Sequence, residues 1–196
     1  MTAAILQTKR LVLRPLSPGD AGDLMDFAGD LDVARMTSDI PHPLDRSKAL
    51  AWLTPSRGET RFALVREGRM IGSAGYFKRA AQVAELGFWI GRPFWGQGLA
   101  TEAGRAIVRH AFQEGDVERL TSSHFVDNPA SGRVLAKLGF EANGRGRIWS
   151  SARELEVMAV LLDLTRARAA EVIDTALARQ SRPSRWSQLI ERVRGA

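Results

Sequence analysis

From Lys9 to Leu16 polar and apolar residues alternate in KRLVLRPL, the period of a half-buried strand. The pattern then changes. Ser17 can cap a helix that Pro18 opens, and Leu24, Met25 and Phe27 give that helix an apolar face up to about Gly29. A second helix is predicted over His42 to Leu53, after a loop marked by Pro41 and Pro43. Three strand-like runs follow: Thr60 to Gly68, Arg69 to Arg79 and Gln82 to Gly91. The polar turns between them are short, the first containing Glu67-Gly68, so the runs predict an antiparallel meander. Leu99, Ala103, Ile107 and Ala111 then form one stripe of a helix from Gly98 to about Glu114. Glu118 to Asp127 reads as a strand, NPASGRVLAKLGF opens a short helix, and Glu154 to Leu164 reads as the last strand. This order predicts a mixed α/β (α+β) domain with an antiparallel start and one β-α-β crossover.

Composition narrows the classes. At 196 residues the chain accommodates one domain with a proper core plus short additions, and its 44% hydrophobic and 26% charged content is that of a globular protein. No apolar run reaches the ~18 residues of a membrane span, and MTAAILQTKRLVLRPL lacks the order of a signal peptide, so a cytoplasmic location is expected. The absence of cysteine excludes a disulfide framework and a thiol nucleophile. His42, His110 and His124 lack metal-ligand spacing, so no metal is expected. Residues 165–196 hold seven arginines against Glu171, Asp174 and Glu191, which places four of the six net positive charges in the tail. The body is nearly balanced, so the charge does not point to nucleic acid as a partner. The tail reads as one or two surface helices broken at Ser181 to Ser184.

The chemistry concentrates where GFWIGRPFWGQGLATEAGRAIVRHAF passes from strand through Gly96-Gln97-Gly98 into helix. Such a turn lets backbone approach an anion and aims helix N–H groups at it. Two familiar phosphate motifs fail. Thr101 stands where a dinucleotide fingerprint needs its third glycine, and no lysine follows the turn as in a P-loop.

The element order, the glycine turn and NPASGRVLAKLGF together resemble the GCN5-related N-acetyltransferases (GNAT superfamily), in particular the RimJ/RimL-like ribosomal-protein branch. The resemblance covers roughly Thr8 to Leu164. It implies a GNAT-like, mostly antiparallel central sheet flanked by helices in residues 1–164, with 165–196 as a basic helical extension. It further implies acetyl-coenzyme A as cosubstrate, with its pyrophosphate on Gly96, Gln97, Gly98 and the helix start Leu99, Ala100 and Thr101. Phe88, Trp89 and Ile90 would flank the acyl group, a backbone N–H there meeting the oxyanion, while Asn128 and Ser131 would lie beside the pantetheine arm and thiol. Pro93 departs from the family's Gln or Arg, leaving Arg92 as a candidate substitute.

Leu135 occupies the place of the family's tyrosine acid, so the resemblance leaves Ser131 as the donor to the leaving thiolate. The same serine is also accounted for as a first-turn residue bonding only backbone, and Asn128 as a helix cap. An attacking amine must lose a proton, and the resemblance offers Glu85 on the strand before the turn as the base. Glu85 fits equally a solvent-facing place on an alternating strand, with Val83, Gly87 and Trp89 on its face. His42 is a candidate for the acceptor pocket. The implied activity is transfer of acetyl to a primary amine, a protein N-terminus or a small molecule, by direct attack. A degenerate acetyl-CoA-binding sensor or partner-binding protein is the alternative.

Overall fold

The computed structural model describes the backbone of residues 4–114 and 116–180, and side chains as far as Ile173. Its strands are β1 (Leu6–Gln7), β2 (Val12–Pro15), β3 (Glu59–Arg66), β4 (Arg69–Ala80), β5 (Val83–Ile90), β6 (Arg119–Phe125), β7 (Glu141–Ser150) and β8 (Leu155–Thr165). They form one sheet in the order β1-β2-β3-β4-β5-β6-β8-β7. Every neighbouring pair is antiparallel except β5 and β6, which run parallel across the predicted β-α-β crossover.

Helices cover both faces. α1 (Ala21–Ala28), α2 (Leu31–Ala34) and α3 (Arg46–Leu53) lie on one, and α4 (Leu99–Glu114), α5 (Pro129–Leu138) and α6 (Arg166–Gln180) on the other. The meander strands are apolar on both sides for this reason. Phe62 and Leu64 of β3 enter the α4–α6 core, whereas Ala63 and Val65, which alternate with them, pack with α1 and α3. Leu64, Ile71, Leu99, Ile107, Leu120, Leu135 and Leu138 are fully buried in the larger core. Each such side chain stabilises the fold by roughly 1.5–3 kcal/mol relative to exposure. α4 and α5 approach closely because Gly104 has no side chain: a Cβ there would stand 2.6 Å from Leu138 Cδ1. That contact holds the end of α5 against the first half of α4.

The predicted helix from His42 begins instead at Arg46. Pro43 lacks the N–H and restricts His42, and the Asp45 side chain accepts from Lys48 N at 2.8 Å, defining the start. The first strand is likewise shorter than Lys9 to Leu16, because a turn at Thr8 to Leu11 folds Leu6–Gln7 back onto β2. β7 has no counterpart among the predicted strands. Its sequence EANGRGRIWS is polar and glycine-containing, yet it pairs with β8 from Glu141↔Asp163 to Ser150↔Leu155. As an edge strand it takes its ladder from β8 and needs no apolar alternation. α6 lays Ala169 and Ile173 into the larger core; the expected tail break at Ser181 to Ser184 lies outside the described residues.

Candidate active site

The parallel pairing of β5 with β6 covers only Val83 to Glu85 against Arg119 to Thr121. Ser122 Oγ then donates to Leu86 O at 2.9 Å, and beyond it the strands part: Gly87 to Ile90 pair only with β4, and Ser123 to Phe125 only with β8. Parity fixes what faces the gap. Gly91 N donates to Ile71 O across β4, so in the alternating ladder Trp89 and Gly87 also address β4, and the backbone groups of Phe88 and Ile90 turn toward the gap. Trp95 Nε1 donates to Ile90 O at 2.6 Å on that side, which leaves the Phe88 N–H pointing into the opening.

At the end of β5 the chain makes the glycine turn. Gly96 (φ 73°) and Gly98 (φ 76°) are both left-handed, a conformation that side chains disfavour. The N–H groups of Leu99, Ala100 and Thr101 in the first turn of α4 have no intrahelical acceptor and carry the positive end of a 16-residue helix. The turn is braced from behind. Glu102 accepts from Thr8 Oγ1, Arg10 N and Arg10 Nε, each at 2.7 Å, and Arg10 Nη1 donates to Gln97 O at 2.8 Å. Burial alone would raise the Glu102 carboxyl, but the hydrogen bonds from Thr8 and Arg10 outweigh it and hold it below its ordinary value.

Opposite the turn stands the start of α5. Asn128 Oδ1 accepts from Ser131 N at 3.1 Å and caps the helix, with Pro129 in its first turn. Between the two helix starts lies a cleft of ≈ 560 Å³ lined by Phe88, Trp89, Ile90, Gly96, Gly98, Leu99, Ala100, Thr101, Asn128 and Ser131 among others. This is within the roughly 300–1,000 Å³ of small-molecule sites. Arg133 and Lys137 of α5 also line it and supply cationic side chains.

A second cavity of ≈ 260 Å³ lies on the other side of β5. Its wall holds the carboxylates Asp39, Glu59 and Glu85 and the guanidinium groups Arg61 and Arg79. Arg61 stacks on Trp52 at 3.8 Å and its Nε lies 3.1 Å from Glu59. Burial lowers the Arg61 guanidinium from its ordinary value, opposed by Glu59 and Asp39. Arg79 Nε donates to Glu85 Oε2 at 2.7 Å. Met36, Thr37, Phe88, Trp89, Asn128 and Ser131 line both cavities and make the junction between them.

The structure therefore brings together Phe88, Trp89, Ile90, Gly96, Gly98, Leu99, Ala100, Thr101, Asn128 and Ser131 in one cleft, and sets Glu85 in the adjoining cavity. Gln97 behaves differently. Its side chain turns to Arg66 and to Pro93 O, so only its backbone belongs to the turn. Arg92, the candidate substitute for the family's polar contact, pairs instead with Asp32 at 3.1 Å. His42 does not line the smaller cavity; its Nδ1 lies 3.1 Å from Gly29 O. His124 lines that cavity with Nδ1 2.9 Å from Phe125 O, and His110 sits 3.2 Å from the Tyr76 hydroxyl. Sequence reasoning missed Arg133 and Lys137, although their i, i+4 spacing after Asn128 places them on one face of α5. It also missed Met36, Thr37, Asp39, Glu59 and Arg61, which no local motif connects to the turn.

The chain is similar to known proteins in sequence and in fold. Residues 10–141 match the acetyltransferase (GNAT) domain family, and the chain belongs to that family. It is 28% identical over 149 residues to the uncharacterized N-acetyltransferase YoaA of Bacillus subtilis, covering 71% of this chain and 84% of that protein. It is also 28% identical over 159 residues to the [Ribosomal protein uS5]-alanine N-acetyltransferase of Escherichia coli, covering 71% and 79% of the two chains. The fold matches Mycobacterium smegmatis RimJ in complex with CoA-disulfide at TM-score 0.75, over 92% of this chain and 94% of that one at 18% identity. The protein is an N-acetyltransferase with the mixed α/β fold of the family. Among the described residues no helix is long and apolar enough to cross a membrane, and no group of His, Cys, Asp or Glu forms a metal cluster.

Proposed function

We propose that the enzyme transfers acetyl from acetyl-coenzyme A to a primary amine by direct attack, with no covalent enzyme intermediate. The observation that carries this reading is the junction: a glycine-turn cleft and an acid-lined cavity meet at one wall of shared residues. The residues present fit the cosubstrate. Left-handed glycines, free helix-start N–H groups, Arg133 and Lys137 suit its phosphates, and the apolar gap at Phe88 suits its arm. Acetyl-coenzyme A supplies the activated acetyl thioester. The chain does the rest: the Phe88 N–H opposes negative charge developing on the carbonyl oxygen, Ser131 Oγ donates to the departing sulfur, and Glu85 takes the amine proton.

Three carboxylates against two guanidinium groups give the smaller cavity a negative balance that attracts an ammonium. A protein N-terminus is the acceptor favoured by the likeness to the uS5-alanine enzyme, and a small amine is the other. We assign transfer to residues 1–164, since among the described residues neither cavity is lined beyond Ile148. Thiol release from acetyl-coenzyme A, measured with a panel of peptide N-termini and small amines, tests the reading. Release that depends on an amine supports it; tight cofactor binding with no release from any member overturns it.

A further inference from the structure

We propose that Arg153 is a positioning residue for transfer, which clamps the Met36–Thr37 wall of the junction to the start of α5. In sequence it lies in the polar turn between β7 and β8, where an arginine is ordinarily solvated. Here its side chain is only 19% exposed and every nitrogen is engaged. Nη1 and Nη2 donate to the two carboxylate oxygens of Asp127 at 2.8 and 3.2 Å, while Nε donates to Arg35 O at 2.7 Å. Nη2 also lies 3.5 Å from Met36 Sδ, and the guanidinium covers the Phe125 ring at 5.1 Å.

The same turn holds the next carbonyls of the wall. Ser151 N and Ser151 Oγ each donate to Ser38 O at 2.9 Å, and Ser150 Oγ to Thr37 O at 3.4 Å. The wall at residues 35–38 otherwise belongs to the loop after α2 and has no strand to fix it. On the far side, Asp127 immediately precedes Asn128, the cap of α5 and a junction residue. One guanidinium thus spans from the wall that carries Met36 and Thr37 to the segment that carries Asn128 and Ser131. Its bonds to Asp127 hold that carboxyl below its ordinary value. Lysine cannot replace it, because a point cation lacks the planar fork that serves a carboxylate and a carbonyl together. Misplacement of a reacting group by about 1 Å costs on the order of a hundredfold in rate.

This inference rests on the acetyl-transfer reading. Arg153→Met and Arg153→Lys are compared with wild type for kcat, KM of both substrates, and amide hydrogen exchange. In folded variants kcat falls about tenfold to a hundredfold while KM for acetyl-coenzyme A moves less than about threefold, and lysine restores little. Asp127→Asn, a milder change should Arg153→Met fold poorly, lowers kcat in the same sense. The Asp127→Asn/Arg153→Met double variant is no worse than the poorer single one, because both break one clamp. Exchange at Met36 to Asp39 quickens in these variants while that at Ala103 to Val108 in α4 holds. Unchanged kcat in a folded variant, effects that multiply, or unchanged exchange at Met36 to Asp39 overturns the proposal. A wild type that releases no thiol sinks the transfer reading instead, and the exchange measurement then still decides whether Arg153 holds the wall.

Discussion

Arg79 Nε lies 2.7 Å from Glu85 Oε2 in the wall of the smaller cavity, so the carboxylate proposed to take the amine's proton is already held by a guanidinium. The pair engages Oε2 and keeps Glu85 in place. Glu85→Gln retains shape and hydrogen bonding but loses basicity. kcat/KM should fall near neutral pH and recover partly as rising pH deprotonates the free amine, with cofactor affinity unmoved. A pH–rate profile beside a cofactor titration checks this; an equal loss at every pH makes Glu85 a positioning group.

Ser131 offers a clean test because the α5 cap uses its N–H and not its hydroxyl. Ser131→Ala should leave stability and cofactor affinity near wild type and lower kcat by about tenfold to a hundredfold, the modest size reflecting a thiol of pKa ≈ 8.5 as leaving group. Single-turnover rates show whether the loss lies in chemistry. Asn128→Ala, by contrast, removes the cap and should cost about 1 kcal/mol of stability.

Gly98→Val should weaken acetyl-coenzyme A binding at least tenfold, or ~1.4 kcal/mol. A valine there would be strained at a left-handed φ of 76°, and its Cβ would stand 3.7 Å from Arg10 Nη2 in the brace behind the turn, so the turn loses the shape that presents its backbone to the phosphates. Calorimetric titration of a variant with a native circular dichroism spectrum decides the matter. Unchanged affinity would remove the turn from the cofactor site.

Arg133→Ala and Lys137→Ala should each weaken cofactor binding severalfold at low ionic strength, with the difference shrinking as salt screens these exposed charges. A Kd series against salt concentration tests both. A loss independent of salt would make the contact one of packing.

Glu102 links acid stability to the cofactor turn. Its folded-state carboxyl lies below the ordinary value, so the stabilisation is present above the ordinary carboxylate range and is lost as pH falls through the folded value. Glu102→Gln should therefore lower Tm at neutral pH, and the gap to wild type should close in acid. Thermal melts from pH 7 downward give the curve, and a gap constant with pH would assign the effect to geometry alone.

By itself the sequence determined the parts whose causes are local. Strand-like runs joined by short polar turns over Thr60 to Gly91 specified the meander, two glycines between strand and amphipathic helix specified the turn, and Asn128-Pro129 specified where α5 begins. Each depends on residues within a few positions of one another. Tertiary structure alone decided β7, whose polar run EANGRGRIWS becomes a strand only because β8 offers it a ladder. It alone decided that Arg92 and His42 turn away from the site, drawn by Asp32 and by Gly29 O. It also decided the junction, where Met36 and Thr37 meet Ser131 because a turn some 113 residues along the chain grips the carbonyls of Thr37 and Ser38. Such contacts leave no period and no motif in the letters, since an arginine or serine in a polar turn reads the same whether its partner is water or a distant backbone carbonyl.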